Sequence, residues 1–282
     1  PEYNDVFVRM LEDVLSNYGE IFEVWFDGAN GEGPNGKRQV YDWPRVFGTV
    51  KRLQPEAVIF SDAGPDVRWC GNERGEAGDP NWSTIDPAAV PFPGATGDGI
   101  IAALQHGHPH GSVWRPAEAD VSLRPGWFYH PAQDDKVRDA ENLFDLYLKS
   151  VGRNSKLLLN VPPTRDGLLH ARDVAALSGF RDLRARLTDR AGGKAFGELA
   201  LPRPIPIDAV RLEEDIVTGQ VLSRYAVQGL TSAGWRELSS GTTVGYAKID
   251  TFAPAVVSRV RVRVLESLAA DPPVSIVAYG AA

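Results

Sequence analysis

The stretch EVWFDGANGEGPNGKRQVYDW, residues 23–43, runs as an apolar strand that ends on a carboxylate, Asp27, and then enters glycine. Two chemistries fit such a segment. The spacing of Gly31, Gly36 and Lys37 approaches a phosphate-binding loop, in which backbone N–H groups and a lysine grip a nucleotide and a following Ser or Thr holds magnesium. Here Arg38 stands in the place of that hydroxyl, Pro34 removes an N–H donor, and Asp27 sets a negative charge at the strand end. The carboxylate is therefore the feature to explain. A second strand delivers Ser61 and Asp62, and GPDVRWCGNERGEAGDPNW, residues 64–82, brings Arg68, Trp69, Glu73, Glu76 and Trp82 into one stretch. Carboxylates interleaved with aromatic rings suit sugars, whose hydroxyls bond to charged groups while their C–H faces lie on rings. Cleaving a glycosidic bond takes two carboxylates, one to attack or to activate water and one to protonate the leaving oxygen.

Such residues need rigid elements beneath them. Val6, Met10 and Val14, with Val8 and Leu11, recur at helical spacing up to Gly19. From residue 20 to about 190 the pattern predicts strands over 22–26, 57–60, near 113, over 120–123 and over 156–161, and helices over 43–53, 134–150 and 170–188; residues 62–110 read as one long irregular region. This alternation points to a parallel sheet or barrel, where catalytic side chains come from the C-terminal ends of strands. Near AGGKAFGELALPRP, residues 191–204, short alternating segments bounded by Gly, Ser and Pro take over, and VSRVRVRVL alternates apolar with basic as a half-buried strand does. The division this predicts is a β/α domain over 1–190 and an antiparallel β-sandwich over 195–282.

Composition narrows the partners. The 282 residues are 43% hydrophobic with a formal net charge of −7, and a sequence pI near 5.3 argues against a nucleic-acid partner, which needs clustered basic residues. Nor does the sequence point to a membrane: no window approaches the roughly 20 apolar residues of a membrane span. The lone Cys70 offers neither an intrachain disulfide nor a cysteine zinc site. HGHPH, residues 106–110, could suggest a metal site, but no third protein ligand type is fixed nearby and Gly107 with Pro109 predicts an exposed turn, so no metal site is assigned.

Five stretches, EVWFDGANGEGPNGKRQVYDW, VIFSDAGPDVRWCGNERGEA, WRPAEADVSLRPGWFYH, LLLNVPPTRDG and LEEDIVTGQ followed by GTTVGYAKI, resemble glycoside hydrolase family 29, the retaining α-L-fucosidases, in family order over most of the chain. The resemblance implies a (β/α)8-like barrel followed by a β-sandwich, with the C-terminal portion of the barrel present and three earlier strands absent. It implies that Asp27, in WFDG, is the nucleophile and that Glu73, in WCGNE, is the acid/base, as in the subfamily favouring α-1,3 and α-1,4 linkages, with Glu76 the second choice. It also implies a fucosylated oligosaccharide or glycoconjugate as partner, no cofactor, and a secreted or periplasmic home. Trp25, Arg68, Glu118 and Trp127 are the candidate substrate-binding residues, Trp127 the best placed for stacking.

Blander roles compete with each of these. A strand-end Asp often caps a turn, loop glutamates are mostly solvated, and tryptophans more often fill cores than bind sugars. About five strands are legible where a full barrel has eight, so the 282 residues by themselves are expected to be poorly soluble and weakly active. A fucose-binding, lectin-like protein without catalysis, or an inactive fragment, is the alternative reading.

Overall fold

The computed structural model describes residues 2–33, 35–270 and 272–281. They fall into two compact units, residues 1–71 with 84–117 and residues 72–83 with 118–282.

In the first unit α1 (Glu2–Asn17) leads to β1 (Glu23–Trp25), α2 (Trp43–Leu53), β2 (Val58–Ser61) and β3 (Val67–Trp69). The strands pair in parallel, Val24 opposite Ile59 and Ser61 opposite Arg68. One face of the strands is covered by α1 and α2 through Val8, Leu15, Phe26, Val46, Val50 and Ile59. Full burial of each such Val or Ile contributes about 1.5–3 kcal/mol. The buried stripe of α1 is Val8, Leu11 and Leu15, whereas Val6, Met10 and Val14 are exposed: two apolar stripes share the helix, and periodicity alone could not say which one meets the core. Asp42 caps α2 by accepting from Arg45 N at 3.3 Å, with Pro44 behind it and Lys51 and Arg52 in the last turn. Gln54, at the other end, donates to Leu15 O at 2.7 Å and Gly19 O at 2.9 Å and so ties off α1.

The region expected to be irregular contains β3, β4 (Thr84–Ile85) and α3 (Asp98–His106), and β4 pairs antiparallel with β5 (Val113–Trp114), the strand expected near 113. Their small core is Ile85, Val90 and Leu104, against Trp69, Ile100 and Val113. β3, β4 and α3 are two to nine residues long and depend on partners distant in sequence, which is why a local pattern missed them.

In the second unit β6 (Ala117–Ser122) is followed by α4 (Ala140–Lys149), β7 (Ser155–Asn160) and α5 (Ala171–Asp189). Val121 and Leu123 pack with Leu143, Leu146 and Ala176 of the two helices, so alternation sends Glu118, Asp120 and Ser122 to the other face. The helix expected over 134–150 begins at Ala140, capped by Asp139 accepting from Asn142 N at 2.8 Å. The residues before it, Pro131–Lys136, form a 3-10 turn.

The remaining strands, β8 (Ala191–Phe196), β9 (Glu198–Glu214), β10 (Leu222–Thr231), β11 (Gly234–Gly241), β12 (Lys248–Ser267) and β13 (Val274–Gly280), pair antiparallel in the order β11-β10-β12-β9-β13-β8. Register breaks at Thr251/Ala255 and Val257/Arg259 bend the long β12 against β9. The curled sheet thereby encloses its own core, with Ile207, Leu212, Leu222, Tyr225, Val257 and Ile276 fully buried. The fold is a partial (β/α) barrel followed by an antiparallel β-domain of sandwich type.

Candidate active site

Asp27 stands just past the end of β1. The ladder continues one residue beyond the strand, Phe26 N donating to Phe60 O at 3.0 Å, and Phe26 turns into the helix layer, where its ring meets Phe7 and Phe47. Its neighbour Asp27 is therefore directed away from that layer and is exposed. Its Oδ1 accepts from Ala29 N at 2.7 Å, a short side-chain turn that fixes the carboxylate. Trp25 is 40% exposed, and one face of its indole stacks on Phe60 at 4.8 Å and 5°. The glycine run that follows does not cradle a phosphate: Gly33 N donates to Lys37 O and Gly36 N to Gly33 O, both at 2.9 Å. Those amide hydrogens are spent inside the loop.

Asp62, at the end of β2, shares this site. Its Oδ2 accepts from Gly94 N at 2.9 Å. Burial, together with the charge of Asp27, holds the Asp62 carboxyl above the usual carboxylate range against the pull of the Gly94 amide. The sequence offered Asp62 only as a second strand-end carboxylate; its burial is created by residues more than thirty positions away.

Arg68 is fully buried. Its Nε donates to Leu104 O at 2.9 Å and its Nη1 to Arg115 O, and desolvation pulls the guanidinium down to about 10. The side chain braces the end of α3 and the chain entering β6, a role its place in an aromatic loop did not announce.

In the second unit the two loop glutamates have different surroundings. The segment turns tightly at Asn72–Glu76, with Arg74 N donating to Asn72 Oδ1 at 3.0 Å and Asn72 Nδ2 to Glu76 O at 2.8 Å. Gly75 has φ +77°, and a Cβ there would lie 2.9 Å from Val121 Cγ1, so glycine is what lets the turn seat on β6 and α4. Glu76 is half-buried and pairs with Lys149 at 3.5 Å and Arg74 at 3.8 Å. Glu73 is exposed, and among the described residues no ion pair engages it.

Glu118 is fully buried on β6 and pairs with Lys156 of β7 at 2.9 Å. Trp127 is 39% exposed, and its carbonyl accepts from Asn160 Nδ2 at 3.0 Å, the same amide that reaches Ser122 Oγ at 3.0 Å. The loop carrying Trp127 is anchored by Arg124. That guanidinium is fully buried, donates from Nε to both oxygens of the equally buried Asp173 at 3.0 and 3.1 Å, and pairs through Nη1 with Asp134 at 2.9 Å. The Tyr129 ring lies 4.8 Å from its carbon. None of these anchors was singled out in the sequence, although RPGWFYH, Asp134 and HARD mark them in retrospect. Among the described residues no group of three or more His, Cys, Asp or Glu is placed to hold a metal ion. His110 N donates to His108 Nδ1 at 3.1 Å, as in an exposed turn.

Comparison with known proteins decides the lineage. A family model described as Alpha-L-fucosidase matches residues 1–182. The chain belongs to the α-L-fucosidase family. Alpha-L-fucosidase 1 of Arabidopsis thaliana is 34% identical over 316 residues, covering 97% of this chain and 61% of that protein. The chain thus spans about three fifths of the length of this curated relative. Among solved structures, SpGH29 superposes with a TM-score of 0.90 at 34% identity, covering 100% of this chain and 69% of that one. A glycoside hydrolase 29 family member from an unknown rumen bacterium gives 0.86 at 31% identity, covering 100% and 55%. These matches cover 97–100% of this chain, so the relationship extends past residue 182, where the family model ends.

Proposed function

We propose that the whole protein is an exo-acting, retaining α-L-fucosidase acting on a fucosylated oligosaccharide or glycoconjugate, with the barrel portion over 1–190 and the β-domain over 195–282. The observation that carries the reading is the exposed carboxylate of Asp27 at the end of a parallel strand, with one oxygen fixed by the Ala29 amide, in a chain of the fucosidase family. In the first step the Asp27 carboxylate bonds to the anomeric carbon, the glycosidic C–O bond breaks, and Glu73 gives its proton to the departing oxygen. In the second, Glu73 takes a proton from water as that water attacks the same carbon and releases Asp27. Two inversions return the original configuration. Glu73 is preferred to Glu76 because Glu76 is engaged by Lys149 at 3.5 Å and Arg74 at 3.8 Å, whereas Glu73 is exposed. Trp25 and Trp127 offer ring faces to the sugar. Glu118 lies on the face of β6 turned away from α4 and α5, and Arg68, buried against the Leu104 and Arg115 carbonyls, is a brace within the first unit.

Asp27→Ala in the full chain lowers kcat on an aryl α-L-fucoside by several orders of magnitude, because the covalent step loses its nucleophile. Turnover at the wild-type rate would remove Asp27 from the mechanism. Glu73→Gln slows substrates with poor leaving groups far more than activated aryl fucosides, while Glu76→Gln does not; the reverse pattern moves the acid/base role to Glu76.

A further inference from the structure

The turn next to Asp27 is part of a three-way contact inside the first unit. Phe92–Ala95 is a β-turn, closed by Ala95 N donating to Phe92 O at 3.2 Å. Pro93 sits at its second position and Gly94, with φ +83°, at its third, the pattern of a type II turn. The central amide of that turn, Gly94 N, donates to Asp62 Oδ2. Gly28, the residue after Asp27, lies against both: a Cβ there would collide with Asp62 Oδ2 and sit 2.9 Å from Gly94 N, and a Cβ at Gly94 would collide with Gly28 O. Glycine at both positions is what allows the backbones to touch.

We propose that Asp62 is a positioning residue for the nucleophile, pinning the Phe92–Ala95 turn against Gly28 so that the backbone carrying Asp27 keeps one conformation. The inference rests on the reading of Asp27 as nucleophile. Asp27 is held from one side by Ala29 N, and that bond fixes the carboxylate relative to its own turn, not the turn relative to the sheet. The Asp62 contact supplies the second constraint. The bond is partly buried, and the same burial raises the proton affinity of the Asp62 carboxyl. Glycosyl transfer to a carboxylate depends on attack geometry, and a displacement on the order of 1 Å costs about 100-fold in rate. Asp62 itself transfers no proton and forms no bond to the sugar in this scheme.

The test is made in the full chain with Asp62→Ala and Asp62→Asn, counting competent sites with a 2-deoxy-2-fluoro-fucosyl donor that accumulates the covalent adduct. Expressing rates per labelled site removes any unfolded fraction from the comparison. Asp62→Ala is expected to lose about 10- to 100-fold in kcat per labelled site with KM changed by less than about threefold. Asp62→Asn, whose amide oxygen still accepts from Gly94, is expected to stay within about threefold of wild type. A merely structural role would change the number of labelled sites and leave the rate at each one intact. Wild-type kcat per site in Asp62→Ala, or equal damage in Asp62→Asn, would overturn the proposal. No adduct in the wild type would instead overturn the fucosidase reading and this inference with it.

Discussion

Replacing Arg124 by Met isolates the energetics of the anchor beneath the Trp127 loop. The guanidinium and Asp173 are both fully buried, so the substitution leaves a carboxylate in the core without its counter-charge. Breaking a buried pair from one side costs about 3–5 kcal/mol. Asp173 lies in the first turn of α5, and the helix dipole returns roughly 0.3–1 kcal/mol of that. Asp134 is 26% exposed and regains water on losing Arg124, so its pair adds little. The net expectation is a loss of roughly 2–5 kcal/mol, or about 4–20 °C in Tm at 2–4 °C per kcal/mol. Urea unfolding of the full chain, followed by tryptophan fluorescence and circular dichroism, gives the midpoint and slope. Arg124→Met/Asp173→Leu then removes both charges, and should recover most of the loss, because a buried pair is often replaceable by apolar groups at little cost. A single variant within about 1 kcal/mol of wild type, or a double variant no better than the single, would refute the account.

Gly75→Ala is expected to destabilise by about 1–2 kcal/mol for the left-handed backbone alone, plus about 1–3 kcal/mol for crowding Val121, and to depress fucoside turnover by shifting Glu73; thermal melts and kinetics on the same preparation separate the two effects. Asp250 carries a pH prediction. Burial holds its carboxyl above the ordinary 3.8, against the hydrogen bonds from Ser239 and Tyr225, so its contribution to stability is fully present below that value and is lost as pH rises through the raised one. Asp250→Asn should therefore gain on wild type as pH rises from 3.8 upward, and a urea series in which the difference runs the other way contradicts this.

Strand-end positions were legible because they depend on local pattern: an apolar run, a carboxylate, then glycine suffices to locate Asp27 at the end of β1. The helix α2 was legible for the same reason, with Asp42 before it and Pro44 within it. What escaped were features made by distant partners. Three residues of β3 form a strand because β2 lies alongside, and Arg68 is buried because Leu104 and Arg115 offer it carbonyls. Asp62 is a positioning candidate only once Gly28 and Gly94 meet. The start of α4 was drawn too early because Asp134 and Lys136 suit a helix, yet Asp134 is taken up by Arg124 and the capping aspartate is Asp139. In α1 the spacing was read correctly as helical, while the choice between its two apolar stripes depended on where α2 packs.

The β-domain is joined to the second unit's helical half by neutral amides. Asn154, at φ 58°, donates to Asn81 O at 3.2 Å, Ser83 Oγ at 3.0 Å and Gln220 Oε1 at 3.2 Å, and accepts from Tyr246 N at 2.9 Å. Asn81 answers with bonds to Arg153 O at 2.8 Å and Asn154 O at 3.1 Å. Amides neither titrate nor respond to screening by salt in the way ion pairs do; two ion pairs cross the same seam beside them, Lys248 with Asp79 at 2.7 Å and Arg190 with Asp208 at 3.0 Å, so acid or high ionic strength weakens the seam only in part. Cutting it would leave several buried polar groups without partners at about 1–3 kcal/mol each, more than a flexible hinge could tolerate. The β-domain therefore melts in the same calorimetric transition as β6, α4 and β7, and a protease that nicks the chain near residue 195 leaves the two pieces associated instead of releasing a separately folded module.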